Sequence, residues 1–449
     1  MKTHIDRLWL TSDFLFLTGL AFALFLGSKA TPLLAVAGVL PIPFLLHAFK
    51  NKHYHVSIWT LFLPFGIYFA YSLFALFFFT GLDASDPRPV NPSLESYAIA
   101  IGMLAVGLVR SLQVKNLAPL FRSWMPWLLV ACFAVLSYMM FAGIRDACRV
   151  RGLAPWPFIP ALLFSTLTFI CLVGWERLGN RERWLRLGLL ALSIVVSTTY
   201  TGSRGVAVAQ VGVFGVLMLL SFLPSLSKGI PRWYHLATAA IAGATVSALI
   251  GIATDCGPAS RFSSTFEALG TLTSQLTTGG EETASTQPEP TTAQIPQAPE
   301  PAVAPTPETN QSTEVTNDYA IGHRLAMWKA SIAAIKQSPV FGHGSLFLQK
   351  LIHSTYGYEH NHNQYLTWLV TGGVLQLTLG LIFLAIPWFV SKGLSTADRI
   401  LLTTGVSLFW GMAMMFDSFL NLKFYTHYFC LLCGVLYALS NSMQDEASK

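Results

Sequence analysis

The chain has 449 residues, of which 53% are hydrophobic, 13% aromatic and only 11% charged. Soluble domains carry about 25% charged residues, so a water-facing surface of this size, a disordered chain and a collagen-like chain are all excluded. Six cysteines are too few for a disulfide-rich scaffold, and the net charge of +6 is weighed against a membrane before nucleic acid. An all-α polytopic membrane protein remains, because helices satisfy their own backbone groups in lipid. The apolar runs are near-continuous rather than ten-residue alternations, which disfavours a barrel.

About twelve transmembrane helices are predicted, at roughly 10–28, 31–49, 57–82, 96–113, 124–143, 155–175, 185–201, 205–226, 234–254, 364–390, 400–416 and 424–441. No small-residue cleavage site follows the first span and Pro32 opens the second, so a cleaved signal peptide is not expected. An even count puts both termini on one side. With the termini inside, 16 of the 28 Lys and Arg fall on inner segments, and 5 of the other 12 lie in one long loop. Long loops weigh little, so the termini are expected in the cytoplasm.

That loop, residues 255–363, separates transmembrane helices 1–9 (residues 1–254) from helices 10–12 (residues 364–449). Residues 255–270 form a short amphipathic stretch. Residues 271–317 are rich in Thr, Pro, Glu and Gln and are expected to be a disordered insertion. Residues 318–338 are predicted helical, with Leu325, Trp328, Ile332 and Ile335 in one apolar stripe. Pro339 stops this helix, and Gly342 and Gly344 bracket a turn. There is no internal repeat, which counts against a non-enzymatic transporter built on matching halves.

Four clusters fall on the external side. Thr201-Gly202-Ser203-Arg204-Gly205 precedes span eight, where glycines and a helix N-terminus suit either an anion site or a plain interhelix turn. Arg324 lies on the loop helix, with Trp328 and Ser331 on a nearby face. Glu359-His360-Asn361-His362-Asn363 precedes span ten. A His-x-His pair on a helix would point its rings apart, and no third ligand stands at standard spacing, so no metal is expected. His362 is instead the candidate base, and His360 a structural or hydrogen-bonding residue. Asp417, in the turn between spans eleven and twelve, suits either a partner for His362 or an arginine, or a helix cap. Arg145, Arg149 and Arg151 crowd one short external loop, as phosphate ligands or as residues snorkelling to headgroups. Cys148 and Cys256 are both external, and a disulfide between them stays open.

The Thr-Gly-Ser-Arg-Gly turn, Arg324 with Met327-Trp328, the Pro339-x-x-Gly342-x-Gly344 turn and His362-Asn363-x-Tyr365-Leu366 occur in that order around one large loop. Together they resemble the O-antigen ligase family, of a superfamily shared with O-antigen polymerases and pilin-type protein oligosaccharyltransferases. The resemblance implies a GT-C-like, metal-independent glycosyltransferase of the bacterial inner membrane with a periplasmic active site and no cofactor. It would transfer O-antigen polysaccharide from undecaprenyl diphosphate, a membrane lipid, to a sugar hydroxyl of lipid A–core, with no nucleic acid involved. By the same resemblance Arg204 and Arg324 bind the diphosphate and His362 is the general base. Topology adds Arg145, Arg149 and Arg151, and Asp417 would support the histidine. The polymerase and the protein-glycosylating enzyme are the alternatives within the superfamily.

Overall fold

A computed structural model describes residues 2–39, 58–78, 98–106, 109, 117–144, 150–151, 154, 156–254, 316–356, 360–421 and 423–447. Among them all regular structure is helical. The helices that carry the argument are α1 (Lys2–Leu26), α2 (Ile58–Phe78), α3 (Met125–Met139), α4 (Phe158–Ile170), α5 (Asn180–Val195) and α6 (Arg204–Ser221). They continue with α7 (Trp233–Thr254), α8 (Thr316–Gln337), α9 (Ser345–Tyr356), α10 (Gln364–Leu384), α11 (Phe409–Ala413) and α12 (Lys423–Ala447).

Five stretches of the described residues are long and apolar enough to cross a membrane: Asp6–Leu26, Met125–Gly143, Arg204–Ser221, Trp233–Thr254 and Gln364–Val390. Helices α6 and α7 turn large apolar side chains outward, with Val211 73% and Ile252 80% exposed. Such a face suits lipid and not water, and the chain is an integral membrane protein. The expected twelve spans are not reached by this measure, for local reasons. Helix α5 opens with Arg181, Glu182, Arg183 and Arg186. The 400–416 region is divided among Thr396–Leu402, a π-helical turn at Thr403–Leu408, and α11. Residues 40–57 and 79–97 lie outside the described residues.

The core gathers round α12. Tyr425, Phe429, Cys430, Cys433, Leu436 and Tyr437 are fully buried on every side of this helix, as expected of a helix that is apolar all round. Its rings meet those of three neighbours: Phe383 stacks on Phe429 at 4.9 Å, Trp410 lies 5.2 Å from Phe429, and Phe158 stacks on Tyr425 at 5.6 Å. Cys430 and Cys433 are free thiols packed in this core. Polar groups between helices are paired. The Gln210 amide donates to Ser165 Oγ at 2.7 Å and to Ser193 Oγ at 2.9 Å, and Ser197 donates to its carbonyl. This pins α4, α5 and α6 together.

Helix α10 is broken at Gly372-Gly373, whose backbones leave the helical region (φ/ψ −139/16° and 65/−161°). The Pro339–Gly344 turn fills the break. His343 N–H donates to Val370 O at 2.7 Å and Gly344 N–H to Thr371 O at 2.8 Å. In return, Val374 N–H donates to Pro339 O at 2.8 Å. Tyr71 of α2 donates to the Gly372 carbonyl at 3.0 Å. The broken ladder is thus re-satisfied by protein, the condition for irregular backbone at membrane depth. Through this clasp α8 and α9 are fixed to α10.

The loop helix begins at Thr316, two residues before its expected start. Its buried face differs from the expected stripe: Met327, Ser331 and Ala334 are buried, while Ile332 is 46% exposed. The face is displaced because Ser331, which an apolar count ignores, turns inward to a hydrogen bond. Residues 255–315, which hold the amphipathic stretch and most of the expected disordered insertion, lie outside the described residues.

Candidate functional site

Residues His360–Asn363 are not helical, and this corrects the expectation that the two histidine rings diverge. His362 is the single non-glycine residue at positive φ among the described residues, at 52°. A left-handed backbone on a histidine costs about 1–3 kcal/mol and persists only where the surroundings impose it. The result is that the His360 and His362 rings lie 4.4 Å apart, centroid to centroid, and both face Asp417.

Asn361 supplies much of the constraint. It is fully buried. Its carbonyl accepts from Trp328 Nε1 at 2.8 Å, and its side-chain amide donates to Ser331 Oγ at 3.2 Å, so α8 is bound to this segment twice. Its Oδ1 accepts from Thr367 Oγ1 at 2.7 Å, from the Asn363 N–H at 3.2 Å and from Ser418 Oγ at 3.4 Å. Asn363 then caps α10, accepting from the N–H groups of Tyr365 and Leu366 at 3.0 and 3.1 Å.

The 411–420 segment is locked to the same place. Gln364 N–H donates to Met414 O at 3.0 Å, Tyr365 OH to Gly411 O at 2.7 Å, and Leu420 N–H to Gln364 Oε1 at 2.8 Å. These bonds hold Asp417 Oδ1 3.3 Å from His362 Nδ1 and 3.7 Å from His360 Nδ1. Burial raises the Asp417 carboxyl. The His362 hydrogen bond, the charges of His360 and His362 and the Ser418 N–H outweigh burial and hold it below the usual carboxylate range. An ionised carboxylate at Nδ1 favours the Nδ1–H tautomer, which leaves Nε2 as a proton acceptor.

Arg204 is the first residue of α6. Ahead of it a π-helical turn, Val196–Tyr200, ends at Thr201, whose N–H and hydroxyl both bond Val196 O at 2.9 Å. Gly202 follows at φ 58°, a left-handed step glycine takes without strain. Gly205 lies against Phe416, where a Cβ would come within 2.6 Å of the Phe416 Cβ. The Arg204 turn therefore adjoins the turn that carries Asp417. Val150 N–H donates to Tyr200 O at 2.7 Å, which brings exposed Arg151 alongside. Arg145, Arg149, Cys148 and Cys256 lie outside the described residues. Arg324 stands exposed on α8, one turn before the Trp328 that bonds Asn361.

Arg204, Arg324, Arg151, His360, His362 and Asp417 thus belong to elements joined by direct contacts at one end of the bundle. No third ligand stands at standard spacing in the sequence, but the fold brings a distant carboxylate to the pair: His360, His362 and Asp417 offer donor atoms all within 4.8 Å of one another. Asp417 is 55 residues from His362, beyond any spacing rule. Asn361 carries little signal in the sequence. Its only signal there is its position between two histidines at the start of an apolar span.

The class is that of helical membrane proteins, here with histidine, carboxylate and arginine carried on joined elements beside a broken helix. Within that class, residues 188–385 match the model of the O-antigen ligase family, the family its motifs resemble. Arg204, Arg324, His360 and His362 fall inside the matched segment; Asp417 and Arg151 fall outside it. A curated relative, an uncharacterized protein of Haemophilus influenzae, is 36% identical over 88 residues, 17% of this chain. That alignment spans 22% of the relative's length.

Proposed function

We propose that the protein transfers O-antigen polysaccharide from undecaprenyl diphosphate to a sugar hydroxyl of lipid A–core, at the periplasmic face of the bacterial inner membrane. The observation that carries the reading is the Asp417–His362 contact, beside the arginine turn of a segment matching the O-antigen ligase family. His362 Nε2 takes the proton of the acceptor hydroxyl as its oxygen attacks the anomeric carbon. The bond from that carbon to the diphosphate breaks, and undecaprenyl diphosphate leaves with the electron pair. Arg204 and Arg324 bind the donor diphosphate, with Arg145, Arg149 and Arg151 as further ligands. Guanidinium suits this task because it stays charged, binds phosphate oxygens in pairs and stabilises the charge that develops on the leaving group. Asp417 fixes the His362 tautomer and steadies the imidazolium that forms. One displacement inverts the anomeric configuration, and the step routes no charge through a metal. The excess of Lys and Arg on inner segments favours cytoplasmic termini, and with that orientation this end of the bundle faces the periplasm.

The test is transfer by the purified protein in detergent, with lipid-linked O-antigen and lipid A–core supplied. The His362→Ala protein should fold and bind donor but transfer nothing. Normal transfer by that variant would overturn the base assignment. A product that extends the glycan on its carrier, or one on a protein serine, would replace the ligase reading with the polymerase or the protein-glycosylating one.

A further inference from the structure

The histidine–aspartate cluster also has the donors and spacing of a transition-metal site. We propose that a divalent ion of the zinc class binds between Nδ1 of His360, Nδ1 of His362 and a carboxylate oxygen of Asp417, and that it shuts off transfer. Binding stands on geometry alone, and only the inhibition rests on the proposed function.

Asp417 Oδ1 is 3.3 Å from one ring nitrogen and 3.7 Å from the other. Zinc holds nitrogen and oxygen ligands at about 2.0–2.2 Å, and a tetrahedral angle then separates neighbouring donors by about 3.3–3.6 Å. The two observed spacings bracket that range, and all three donor atoms lie within 4.8 Å of one another. His360 Nδ1 accepts the His362 N–H at 3.3 Å, a long bond that an ion would replace. Two imidazoles and one carboxylate form a zinc-type donor set with a fourth position for water. Magnesium, which demands six oxygens in octahedral array, is poorly served. The side chains keep 15–19% of their surface accessible, a route of entry for an ion. The backbone bonds that hold the segments on either side of the cluster preform the site.

The chemical consequence follows from the tautomer. Neutral imidazole carries one proton. While Asp417 faces Nδ1, that proton sits on Nδ1 and Nε2 is the unprotonated, accepting nitrogen. A metal takes the Nδ1 lone pair and the proton moves to Nε2, which then donates and cannot accept the proton of the attacking hydroxyl. Asp417 is drawn to the ion at the same time. The arginines are untouched, so zinc lowers kcat and leaves the KM for the lipid diphosphate as it was.

The test uses the full-length protein in detergent, stripped with chelator and titrated with Zn2+ by calorimetry, with Mg2+ as the competitor. Wild type should bind one tight Zn2+ that Mg2+ does not displace, and both His360→Ala and Asp417→Asn should weaken it by about tenfold or more. Unchanged zinc affinity in the two variants, or displacement by Mg2+, would overturn the site. If zinc binds as expected but leaves kcat unchanged, the inhibition is wrong. The titration contains no substrate, so a chain that binds zinc yet catalyses no transfer would sink the proposed function and not the metal site.

Discussion

Replacing Gly373 by alanine tests the clasp between the Pro339–Gly344 turn and the broken helix. A Cβ at this position would lie 2.1 Å from Val340 O and 2.2 Å from Val340 C. Those atoms are backbone and cannot swing aside like a side-chain tip. The conformation itself, φ 65° and ψ −161°, lies in a region essentially reserved for glycine, and holding alanine there costs about 1–3 kcal/mol. The clash is relieved only if the turn withdraws. It would then give up the bonds from His343, Gly344 and Val374 that cross the break, each worth about 0.5–1.5 kcal/mol net. The combined loss is several kcal/mol, a large share of the roughly 5–15 kcal/mol that holds a domain folded. The assay is thermal unfolding in detergent, with hydrogen exchange at residues 340–344 and 370–375. Gly215→Ala in α6 is the matched control: nothing lies within 4 Å of its Cβ, and alanine should gain roughly 0.8–1.0 kcal/mol of helix propensity. Gly373→Ala should lower Tm and speed exchange on both sides of the clasp, while Gly215→Ala should hold or raise Tm. Equal Tm values for the two variants would refute the reasoning.

Asp417→Asn keeps the shape at His362 but loses the charge. A hydrogen bond to a charged group is worth about 1.5–3 kcal/mol, so kcat should fall about 10- to 150-fold, measured as initial transfer rate. The same substitution carries a pH signature. A carboxyl held below its usual range adds stability above the unfolded value near about 3.9, and loses it as pH falls through the lower folded value. Wild type should therefore exceed Asp417→Asn in Tm at pH 7, with the gap closing below about pH 4; a gap constant to pH 3 would contradict the assignment. Asn361→Ala should reduce kcat by about tenfold or more with little change in donor KM, since it releases His362 from its left-handed backbone without touching the arginines. Arg204→Lys and Arg324→Lys should do the reverse, raising donor KM by about tenfold or more, because an ammonium cannot bind two phosphate oxygens in one plane.

Much of the fold was legible because lipid leaves a chain few options. Near-continuous apolar runs with 11% charge leave helices as the economical solution, and the described residues are helical wherever they are regular. The legible part ends where side chains do two jobs. Helix α5 pairs a charged first turn with an apolar second half, so hydropathy alone misjudges it. The loop helix turns Ser331 inward and Ile332 outward because one hydrogen bond to Asn361 outweighs the simple apolar count. The Gly372-Gly373 pair was visible in the sequence, but its meaning depends on a turn about thirty residues earlier that donates into the break.

The candidate site divides the same way. Arginine and histidine announce themselves in a charge-poor chain, and four of the candidates fall in the segment matching the O-antigen ligase family. Their relation to Asp417 is invisible in one dimension, because it requires α10 and α11 to present their ends to each other. Tyr365 to Gly411, Gln364 to Met414 and Leu420 to Gln364 make that junction. None of those residues is chemically conspicuous, yet they set a 3.3 Å contact that decides which nitrogen of His362 is free. The expectation of diverging histidine rings failed for a related reason: it assumed helix, and the positive φ of His362 replaces helix with a sharp reversal. Strain of that kind is stable only where buried polar groups hold it from several sides, and Asn361 is bonded to α8, α10 and Ser418 at once. The loop helix that carries Arg324 is therefore coupled to the geometry of His362 through one residue, whose backbone carbonyl and side chain both bond α8, so loss of the side chain alone leaves the Trp328 tie in place.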